Sequence, residues 1–394
     1  MNHLGNKAAD AQKSVAAFLK QNKMKKGPRI KEDEERLRGE AKELSNQMTA
    51  LRQEHDQLGQ DITALLLASP NVSHESAPIG SESQAKVSKE SATIRRTHLG
   101  LATLLSPSGQ IDTPAGRLAT GPSFPYLTDS VALLEQALLR YSTDIALAKG
   151  YRLVSTPAVV RTDVAERCGF DPRGGEGGQT YFVSSSSSTS SPEENGHPDL
   201  CLIGTAEIAL AALVSGRTFP RSSLPLRLLA ISPSFRAEAG GRGQETKGLY
   251  RLHQFMKAEM FVVAAPPSEE SGETHPDLLE ELRAIQEQVF SSLGLTTRTL
   301  LMPTEELGAS AHRKYDIEAW MPGRGSDQDG GGWGEVSSAS DCTDYQASRL
   351  AINVEGVSTP AKEQKKQKPA TSTPAHTLNA TLLAAPRVII ALME

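Results

Sequence analysis

The sequence lacks the features that mark a secreted, membrane-spanning or metal-clustered protein. It has only three cysteines, Cys168, Cys201 and Cys342, and no two of them have the spacing of a metal site. An odd number of distant cysteines argues against a disulfide framework and favours a reducing compartment. No apolar run approaches the roughly 18 residues that cross a bilayer. The N-terminus also lacks the pattern of a secretory signal, so we expect no membrane partner.

The chain also lacks an overall positive charge, and its net charge of −5 does not indicate a nucleic-acid partner. Its 394 residues suffice for two domains and a sizeable core. The charge is unevenly distributed, because residues 1–31 carry eight Lys or Arg against a single acid, Asp10. The basic end therefore needs an explanation of its own.

A leucine heptad dominates the N-terminal part of the chain. Leucine recurs at every seventh position from Leu37 to Leu65, and His55 belongs to the intervening apolar row. This spacing predicts a coiled-coil helix about 50 Å long over residues 34–67, with His55 as a packed core histidine. A shorter stretch from Leu4 to Phe18 has the same spacing, and Gly27–Pro28 break the pattern between the two. We expect an antiparallel helical hairpin.

Basic residues cluster where the tip of this hairpin is expected. A solvated helix end and a phosphate-contacting patch are both open interpretations of such a cluster. The longer helix offers leucines from Leu51 to Leu67 that the shorter upstream stretch does not reach. The cluster consists of Lys20, Lys23, Lys25, Lys26, Arg29 and Lys31.

A row of charged and aromatic residues flanks a glycine-rich stretch between residues 235 and 259. Residues alternate there with a period of two, which predicts two half-buried antiparallel strands joined by a flexible hairpin loop. Arginines can fork onto phosphate oxygens, a phenylalanine can stack on a base, and carboxylates can bind amino and hydroxyl groups. The polar row therefore suits a nucleotide together with a small polar substrate. It contains Arg236, Glu238, Arg251, His253, Phe255, Lys257 and Glu259.

The letters FRAE, the glycine-rich loop and RLHQFMKAE resemble motif 2 of the seryl-tRNA synthetases, a family of class II aminoacyl-tRNA synthetases. The resemblance implies an α+β fold, with an N-terminal helical arm and a catalytic antiparallel sheet flanked by helices. It divides the chain into a tRNA-binding arm (1–70), a linker (71–95) and a catalytic domain (96–394). The implied reaction activates L-serine with ATP and transfers it to the 3′ end of tRNA(Ser).

The resemblance assigns an ATP site. Arg236 would bridge the α-phosphate and the serine carboxylate, and Arg387 would hold the γ-phosphate. Glu238 would bind the adenine amino group, Phe255 would stack on the ring, and Arg251 would hold the bent triphosphate. Arg387 lies in HTLNATLLAAPRVIIALME, a segment apolar enough to be a buried helix, and a structural salt bridge at the helix start is the competing interpretation.

Glu335 and Ser338 lie in GEVSSASDCTDYQASR, which resembles the EISSCSN stretch of the family. A carboxylate and a hydroxyl beside phosphates are hard oxygen ligands suited to Mg²⁺. Ala339 stands where the family often has Cys, and Asp341 where it often has Asn. Asp341 would either add a negative charge near ATP or lie outside the site.

Serine selection requires a site that hydrogen-bonds a hydroxyl, because such a site rejects alanine strongly. By resemblance, Glu259 accepts from that hydroxyl, and Thr205 and Glu207 of GTAEIAL hold the α-ammonium. Asn379 and Thr381 add polar groups near the side chain, and Arg236 binds the carboxylate. Arg242 and Lys247, in the loop 239–248, would contact the acceptor end of the tRNA.

The helix around Leu134–Ala148 and the segment YRLVSTPAVV resemble motif 1, which builds a homodimer interface in the family. Gly150 suits the position just past that helix. Three low-complexity insertions, near 184–196, 323–334 and 358–375, are predicted to be disordered surface loops.

Three questions stay open at the level of sequence. A non-catalytic tRNA-binding paralogue is the alternative function, and a class II enzyme for another amino acid is a third. The C-terminal motifs with low-complexity insertions favour the mitochondrial matrix over the cytoplasm. We also expect that the chain starts at an internal methionine, against the competing view that residues 1–26 are a transit peptide.

Overall fold

The computed structural model describes residue 13 and residues 28–90, 109–170, 179–183, 199–237, 249–267, 277–324, 331–356 and 372–394. The chain forms two compact units, Met1–Ser69 and Pro70–Glu394. No helix in these ranges is long and apolar enough to cross a membrane.

The described part of the first unit is a single long helix, α1 (Pro28–Ala68). It begins at a proline, which is tolerated at a first helical position because no intrahelical partner is lost there. Leu51, Leu58 and Leu65 are 36%, 54% and 72% exposed, in accord with their lack of a predicted partner. The prediction for His55 is wrong, since its side chain is 65% exposed and Nδ1 lies 3.2 Å from Asp56 Oδ1. The other predicted helix lies outside the described residues, apart from Lys13.

The second unit contains the remaining elements. The helices are α2 (Thr113–Ala119), α3 (Asp129–Ala148), α4 (Thr162–Arg167), α5 (Ala206–Val214), α6 (Leu278–Ser292), α7 (Tyr345–Leu350) and α8 (Ala385–Met393). The first eight strands are β1 (Lys86–Glu90), β2 (Ile111–Asp112), β3 (Tyr126–Leu127), β4 (Arg152–Val154), β5 (Val159–Arg161), β6 (Phe182–Val183), β7 (Leu200–Leu202) and β8 (Thr218–Phe219). The others are β9 (Leu226–Phe235), β10 (Gln254–Ala264), β11 (Thr297–Leu301), β12 (Arg313–Met321), β13 (Gly332–Thr343), β14 (Asn353–Val354), β15 (Thr373–Pro374) and β16 (His376–Ala384).

An eight-stranded sheet organises this unit, in the order β1-β11-β12-β13-β16-β10-β9-β4. All neighbouring strands in it are antiparallel except β4 and β9. The α+β class with a dominant antiparallel sheet and flanking helices is therefore confirmed.

Both faces of the sheet are covered by helices, as strand β10 shows. Met260 and Val262 point into a core that includes residues of α3, α6 and α8. Phe261 and Val263 point into a second core with residues of α4, α5 and α7. Lys257 and Glu259 share the face of Phe261, because side chains alternate along a strand. The polar row is thus the continuation of a covered face, and both of these charged residues are buried.

The two strands predicted around the glycine-rich loop are present as β9 and β10, with Phe255 opposite Ser234 and Lys257 opposite Ser232. Arg236 follows the end of β9, and Arg251 and His253 precede β10. The segment YRLVSTPAVV forms two short strands, β4 and β5, which belong to different sheets. Helix α3 ends at Ala148, and Gly150 has a φ of +87°, the left-handed conformation that favours glycine.

Three segments differ from their predictions. HTLNATLLA is a strand (β16), not the start of a helix, because it fills the centre of the sheet between β10 and β13. Trp333, placed in a predicted disordered insertion, is on β13 with its ring centroid 5.3 Å from that of Trp320. The third insertion ends in β15. All of 184–196, half of 323–334 and most of 358–375 lie outside the described residues. In the expected linker, residues 86–90 form β1 and pair with β11.

Candidate active site

A cleft open to solvent lies where the paired strands β9 and β10 approach the glycine-rich loop. The guanidinium groups of Arg236 and Arg387 share it, although 151 positions of sequence separate the two residues. The ATP site implied by the family resemblance requires these two arginines to lie in one cavity. The other predicted residues that line the same cleft are Arg251, Phe255, Glu335, Ser338 and Thr381.

Arg236 is positioned by the end of the β9–β10 pairing. Its backbone N–H donates to the His253 carbonyl at 2.9 Å, which extends the ladder one step beyond the strands. The guanidinium carbon of Arg236 lies 5.4 Å from the ring centroid of Phe255, within cation–π range. His253 is itself held, because its ring stacks on Phe124 with centroids 5.1 Å apart and Tyr181 Oη lies 2.8 Å from its Nδ1. A cation and a flat ring are thus presented side by side.

Arg387 lies in the first turn of α8, immediately after Pro386. Its Nη1 is 3.1 Å from Glu335 Oε2 and 3.2 Å from the Glu335 carbonyl oxygen. Its guanidinium carbon also lies 4.7 Å from the ring centroid of Tyr250. The predicted salt bridge at the helix start is therefore present, and it forms inside the cleft. Arg387 can therefore form a structural salt bridge and still be placed to bind a ligand in the cleft.

Glu335 is ionised in this setting. Desolvation opposes its negative charge, but the positive charges of Arg387, Lys314 and Arg236 outweigh that effect and hold its pKa below the usual value. Ser338 lies on the same strand and lines the cleft. The described residues contain no cluster of three or more His, Cys, Asp or Glu that could hold a metal alone. An ionised carboxylate with a hydroxyl fits a Mg²⁺ ion that takes its other oxygens from phosphates and water.

Beside the cleft lies a compact group of buried polar residues. Thr205, Glu207, Glu259, Asn379 and Thr381 are all at most 9% exposed. Thr205 is the N-cap of α5, and its Oγ1 accepts the Glu207 N–H at 3.3 Å. Asn379 Nδ2 donates to Glu207 Oε1 at 2.8 Å, and Thr381 Oγ1 donates to Glu259 Oε2 at 3.2 Å. All five residues predicted to bind the hydroxyl side chain or the α-ammonium of serine are therefore neighbours.

The Glu207 carboxyl binds its proton more tightly than an ordinary glutamate does. Burial and the nearby charge of Glu259 raise its pKa to about 7, while the hydrogen bond from Gln346 and the charge of Lys257 act in the opposite direction. A buried carboxylate at neutral pH is thus held close to its titration point. A bound ammonium would stabilise its ionised form.

Two buried residues of this group had no predicted role. Lys257 Nζ lies 2.6 Å from Glu259 Oε2, 2.9 Å from Thr205 Oγ1 and 3.3 Å from Thr381 Oγ1. The alternation on β10 places Lys257 between Phe255 and Glu259 on one face, and this pattern could have indicated a role for Lys257 in the site. Gln346 Nε2 donates to Glu207 Oε1 at 2.6 Å. No sequence signal indicated Gln346, because its contacts arise from the packing of α7 on α5.

Some predicted site residues are not accounted for by the described chain. Glu238, Arg242, Lys247 and the lysines at 20, 23, 25 and 26 lie outside the described residues, as does the side chain of Arg29. Asp341 is described, and it is not among the residues that line the cleft. Its Oδ1 accepts the Thr343 N–H at 2.8 Å at the end of β13, so the carboxylate has a local partner.

Comparison with known proteins gives consistent matches. The tRNA synthetase class II core domain (G, H, P, S and T) matches residues 188–394. The mitochondrial serine–tRNA ligase of Schizosaccharomyces pombe is 38% identical over 368 residues, which are 91% of this chain and 69% of that protein. The serine–tRNA ligase of Rubrobacter xylanophilus is 37% identical over 388 residues, 95% of this chain and 82% of that protein.

Solved structures agree with the sequence matches. The crystal structure of seryl-tRNA synthetase from Pyrococcus horikoshii complexed with ATP superposes with a TM-score of 0.70 and 29% identity, covering 98% of this chain and 83% of that one. The cytoplasmic serine–tRNA ligase of Naegleria fowleri shares the fold, with a TM-score of 0.72 and 24% identity over 98% of this chain and 85% of that one.

Proposed function

We infer that this chain, which belongs to the seryl-tRNA synthetase family of class II tRNA synthetases, is an ATP-dependent serine–tRNA ligase. The observation that carries the proposal is the adjacency of two sites. A cleft lined by Arg236, Arg387 and Phe255 lies against a buried group containing Glu207 and Glu259. The first suits a nucleotide and the second a small amino acid with a hydroxyl.

In the first step, the serine carboxylate attacks the α-phosphorus of ATP. A bond forms between a carboxylate oxygen and phosphorus, the bond to the bridging oxygen breaks, and pyrophosphate leaves with seryl-adenylate as the product. A carboxylate needs no general base at neutral pH, so catalysis consists of positioning and charge neutralisation. We assign Arg236 to the α-phosphate and the serine carboxylate. Arg251 and Arg387 would hold the β- and γ-phosphates, and Phe255 would stack on adenine.

Serine recognition is assigned to the buried polar group. Glu207 and Thr205 would bind the α-ammonium, and Glu259 with Thr381 would bind the hydroxyl, with Asn379 nearby. Alanine has no hydroxyl to donate to Glu259, so one hydrogen bond in a buried site would be lost and its rejection is expected to be strong. The group shows no described cysteine–histidine cluster that would support a metal-based amino-acid site.

Mg²⁺ is assigned to Glu335 and Ser338. Bound beside the phosphates, the ion would neutralise their charge as a Lewis acid. The pairing of Glu335 with Arg387 keeps the carboxylate ionised and therefore ready to bind a cation.

In the second step, the seryl group passes to the terminal adenosine of tRNA(Ser), and AMP leaves. We assign the acceptor end to the hairpin loop with Arg242 and Lys247. We assign the long variable region of the tRNA to the helical arm, residues 1–70, with its lysines and Arg29. The remaining division into a linker at 71–95 and a catalytic domain at 96–394 is part of the same proposal.

We further propose a homodimer and a mitochondrial location. Helix α3 and strand β4, the motif 1 elements, expose Leu133, Leu147 and Leu153, which are 71%, 39% and 53% exposed. Apolar residues grouped on one helix–strand pair support burial against a second copy. The mitochondrial serine–tRNA ligases of S. pombe and mouse are 38% and 36% identical to this chain, which supports the mitochondrial matrix over the cytoplasm.

ATP–pyrophosphate exchange with serine, threonine and alanine tests the activity. Exchange should depend on serine, and alanine should be rejected by about 10⁴-fold in kcat/KM, as for sites built around a substrate hydroxyl. The alternative, a non-catalytic paralogue, predicts no exchange with any amino acid. A paralogue would be expected to lose charged residues of the predicted site, whereas Arg236, Glu238, Glu259 and Arg387 are all present.

A further inference from the structure

Gln346 is a completely buried amide at the start of α7, outside the cleft and behind the amino-acid group. Its Nε2 donates to Glu207 Oε1 at 2.6 Å and to the Cys168 carbonyl at 3.2 Å. Its Oε1 accepts from Thr377 Oγ1 at 2.8 Å. Both hydrogens and the carbonyl of the amide are therefore used.

These contacts allow the amide only one orientation. Rotation by 180° would direct Oε1 at the Glu207 carboxylate and at the Cys168 carbonyl, which are both acceptors. The Thr377 hydroxyl, by contrast, can serve either end. The two acceptors therefore decide the orientation, and Thr377 completes it.

The Glu207 carboxylate receives both of its amide donors on one oxygen. Gln346 and Asn379 bond to Oε1 at 2.6 and 2.8 Å, and no hydrogen bond from a described residue ends on Oε2. Two donors on one oxygen fix the rotation of the carboxylate about its terminal bond. The other oxygen is then available to an ammonium group in a defined direction.

We propose, resting on the serine activity set out above, that Gln346 is a positioning residue that holds Glu207 ionised and oriented for the α-ammonium of serine. Gln346 does not line the nucleotide cleft. Its contribution should therefore appear in serine binding and leave ATP binding unaffected.

The charged surroundings of Glu207 explain why a neutral donor matters. Glu259 and Lys257 face it from β10. Burial raises the pKa values of the nearby Cys168 and Cys342 thiols, and the charge of Glu207 raises them further. Without the Gln346 N–H, burial and Glu259 would favour protonation of Glu207 still more. A protonated carboxyl, held by Asn379 alone, would lose its ion pair with the substrate.

The first test is Gln346→Met, assayed by exchange at saturating ATP and varied serine near pH 7.5. Removing a hydrogen bond to a charged group should raise the KM for serine about ten- to a hundredfold. The KM for ATP and kcat should stay within about threefold. Ser348→Ala, an exposed position on the same helix, is the matched control and should change neither constant.

Thr377→Val is the second test, and it leaves Gln346 itself in place. Loss of a neutral hydrogen bond should raise the KM for serine about two- to tenfold, again without change for ATP. If Gln346→Met does not fold, this variant decides the question alone. A serine KM equal to that of the wild type in the folded variants would overturn the proposal.

A pH profile separates positioning from a purely structural role. The ratio of the Gln346→Met KM for serine to the wild-type KM should fall as pH rises from 6.5 to 8.5, because Glu207 regains its charge. Titration of serine itself cancels in this ratio. A pH-independent ratio, or an equal rise in the KM for ATP, would indicate a structural role and contradict the proposal. Failure of the proposed function is distinguishable, because the wild type would then show no serine-dependent exchange.

Discussion

Arg387 Nη1 lies 3.1 Å from Glu335 Oε2 and 3.2 Å from the carbonyl oxygen of the same residue. One arginine therefore holds both the side chain and the backbone of the carboxylate assigned to Mg²⁺. When ATP and Mg²⁺ bind, the Arg387 guanidinium would contact a phosphate and the Glu335 carboxylate would bind the metal ion. The pair thus keeps both groups in place before ATP binds.

Arg387→Ala should raise the KM for ATP and lower kcat for exchange by about 10²–10³-fold, the usual effect of removing one charge-stabilising donor. The KM for serine should change little, because the residue does not belong to the buried polar group. Arg236→Ala should abolish exchange, since that guanidinium is assigned to both reacting groups. Arg217→Ala, in an exposed turn after α5, is the control. Near-normal exchange in the Arg236 variant would remove its assignment.

Phe255→Ala should raise the KM for ATP without affecting that for serine. Stacking of a base on an aromatic ring contributes about 1–3 kcal/mol, so the expected change is about five- to a hundredfold. Phe255→Trp keeps a flat ring and should retain most of the affinity. If both substitutions have the same effect, the ring does not stack on adenine and serves only to support Arg236, whose guanidinium carbon is 5.4 Å away.

Much of this architecture could be predicted from sequence, because its signals are local. Alternation on β9 and β10, the helix ending before Gly150 and the leucine heptad are patterns of neighbouring residues. The two arginines could be assigned to one site only by resemblance, since no local pattern relates Arg236 to Arg387.

The predictions that were wrong concern features that depend on residues distant in sequence. The strand β16 has the composition of a buried helix, and only its position between β10 and β13 makes it a strand. His55 occupies an apolar heptad position and is nevertheless exposed, because burial depends on a partner that a heptad does not supply. Gln346 was missed for a similar reason, since its partners Glu207 and Thr377 are distant in sequence.

Lys257 and Glu259 form an ion pair with Nζ and Oε2 2.6 Å apart, and their side chains are 5% and 2% exposed. Lys257→Met should destabilise the fold by about 3–5 kcal/mol, because it leaves a buried carboxylate without its cation. The double variant Lys257→Met/Glu259→Gln should be less destabilised than the single one. Additive effects would mean that the two charges do not depend on each other.

The measurement for this pair is urea unfolding followed by tryptophan fluorescence. Both tryptophans of the chain, Trp320 and Trp333, lie in the main sheet and report on Pro70–Glu394. Arg161→Ala is the matched control. It removes an ion pair of 2.8 Å whose side chains are 59% and 36% exposed, so its cost should stay below about 1 kcal/mol.

Glu207→Gln should make the protein more stable and less active. The pKa of Glu207 is raised to about 7 in the folded protein, above its unfolded value. Its contribution to stability is therefore full at low pH and is lost as pH rises through about 7. At pH 8 the neutral variant should be more stable by on the order of 2–3 kcal/mol. The difference should shrink toward zero near pH 4.5, while the KM for serine rises. A variant less stable than the wild type at pH 8 would show that the ionised Glu207 carboxylate does not destabilise the fold.

Removal of residues 1–69 should separate the two steps of the reaction. The cleft and the buried polar group lie entirely within Pro70–Glu394, which is one compact unit, so serine-dependent exchange should persist with similar KM values. Charging of tRNA(Ser) should fall sharply, because the basic residues assigned to the long variable region of the tRNA belong to the removed part. The salt dependence of the remaining tRNA binding should also weaken, since fewer phosphates are neutralised. Replacing Lys20, Lys23, Lys25 and Lys26 by Gln in the full chain is the milder companion experiment, and it should reproduce the charging defect. Loss of exchange together with charging would show that the arm is required for the fold of the synthetase unit.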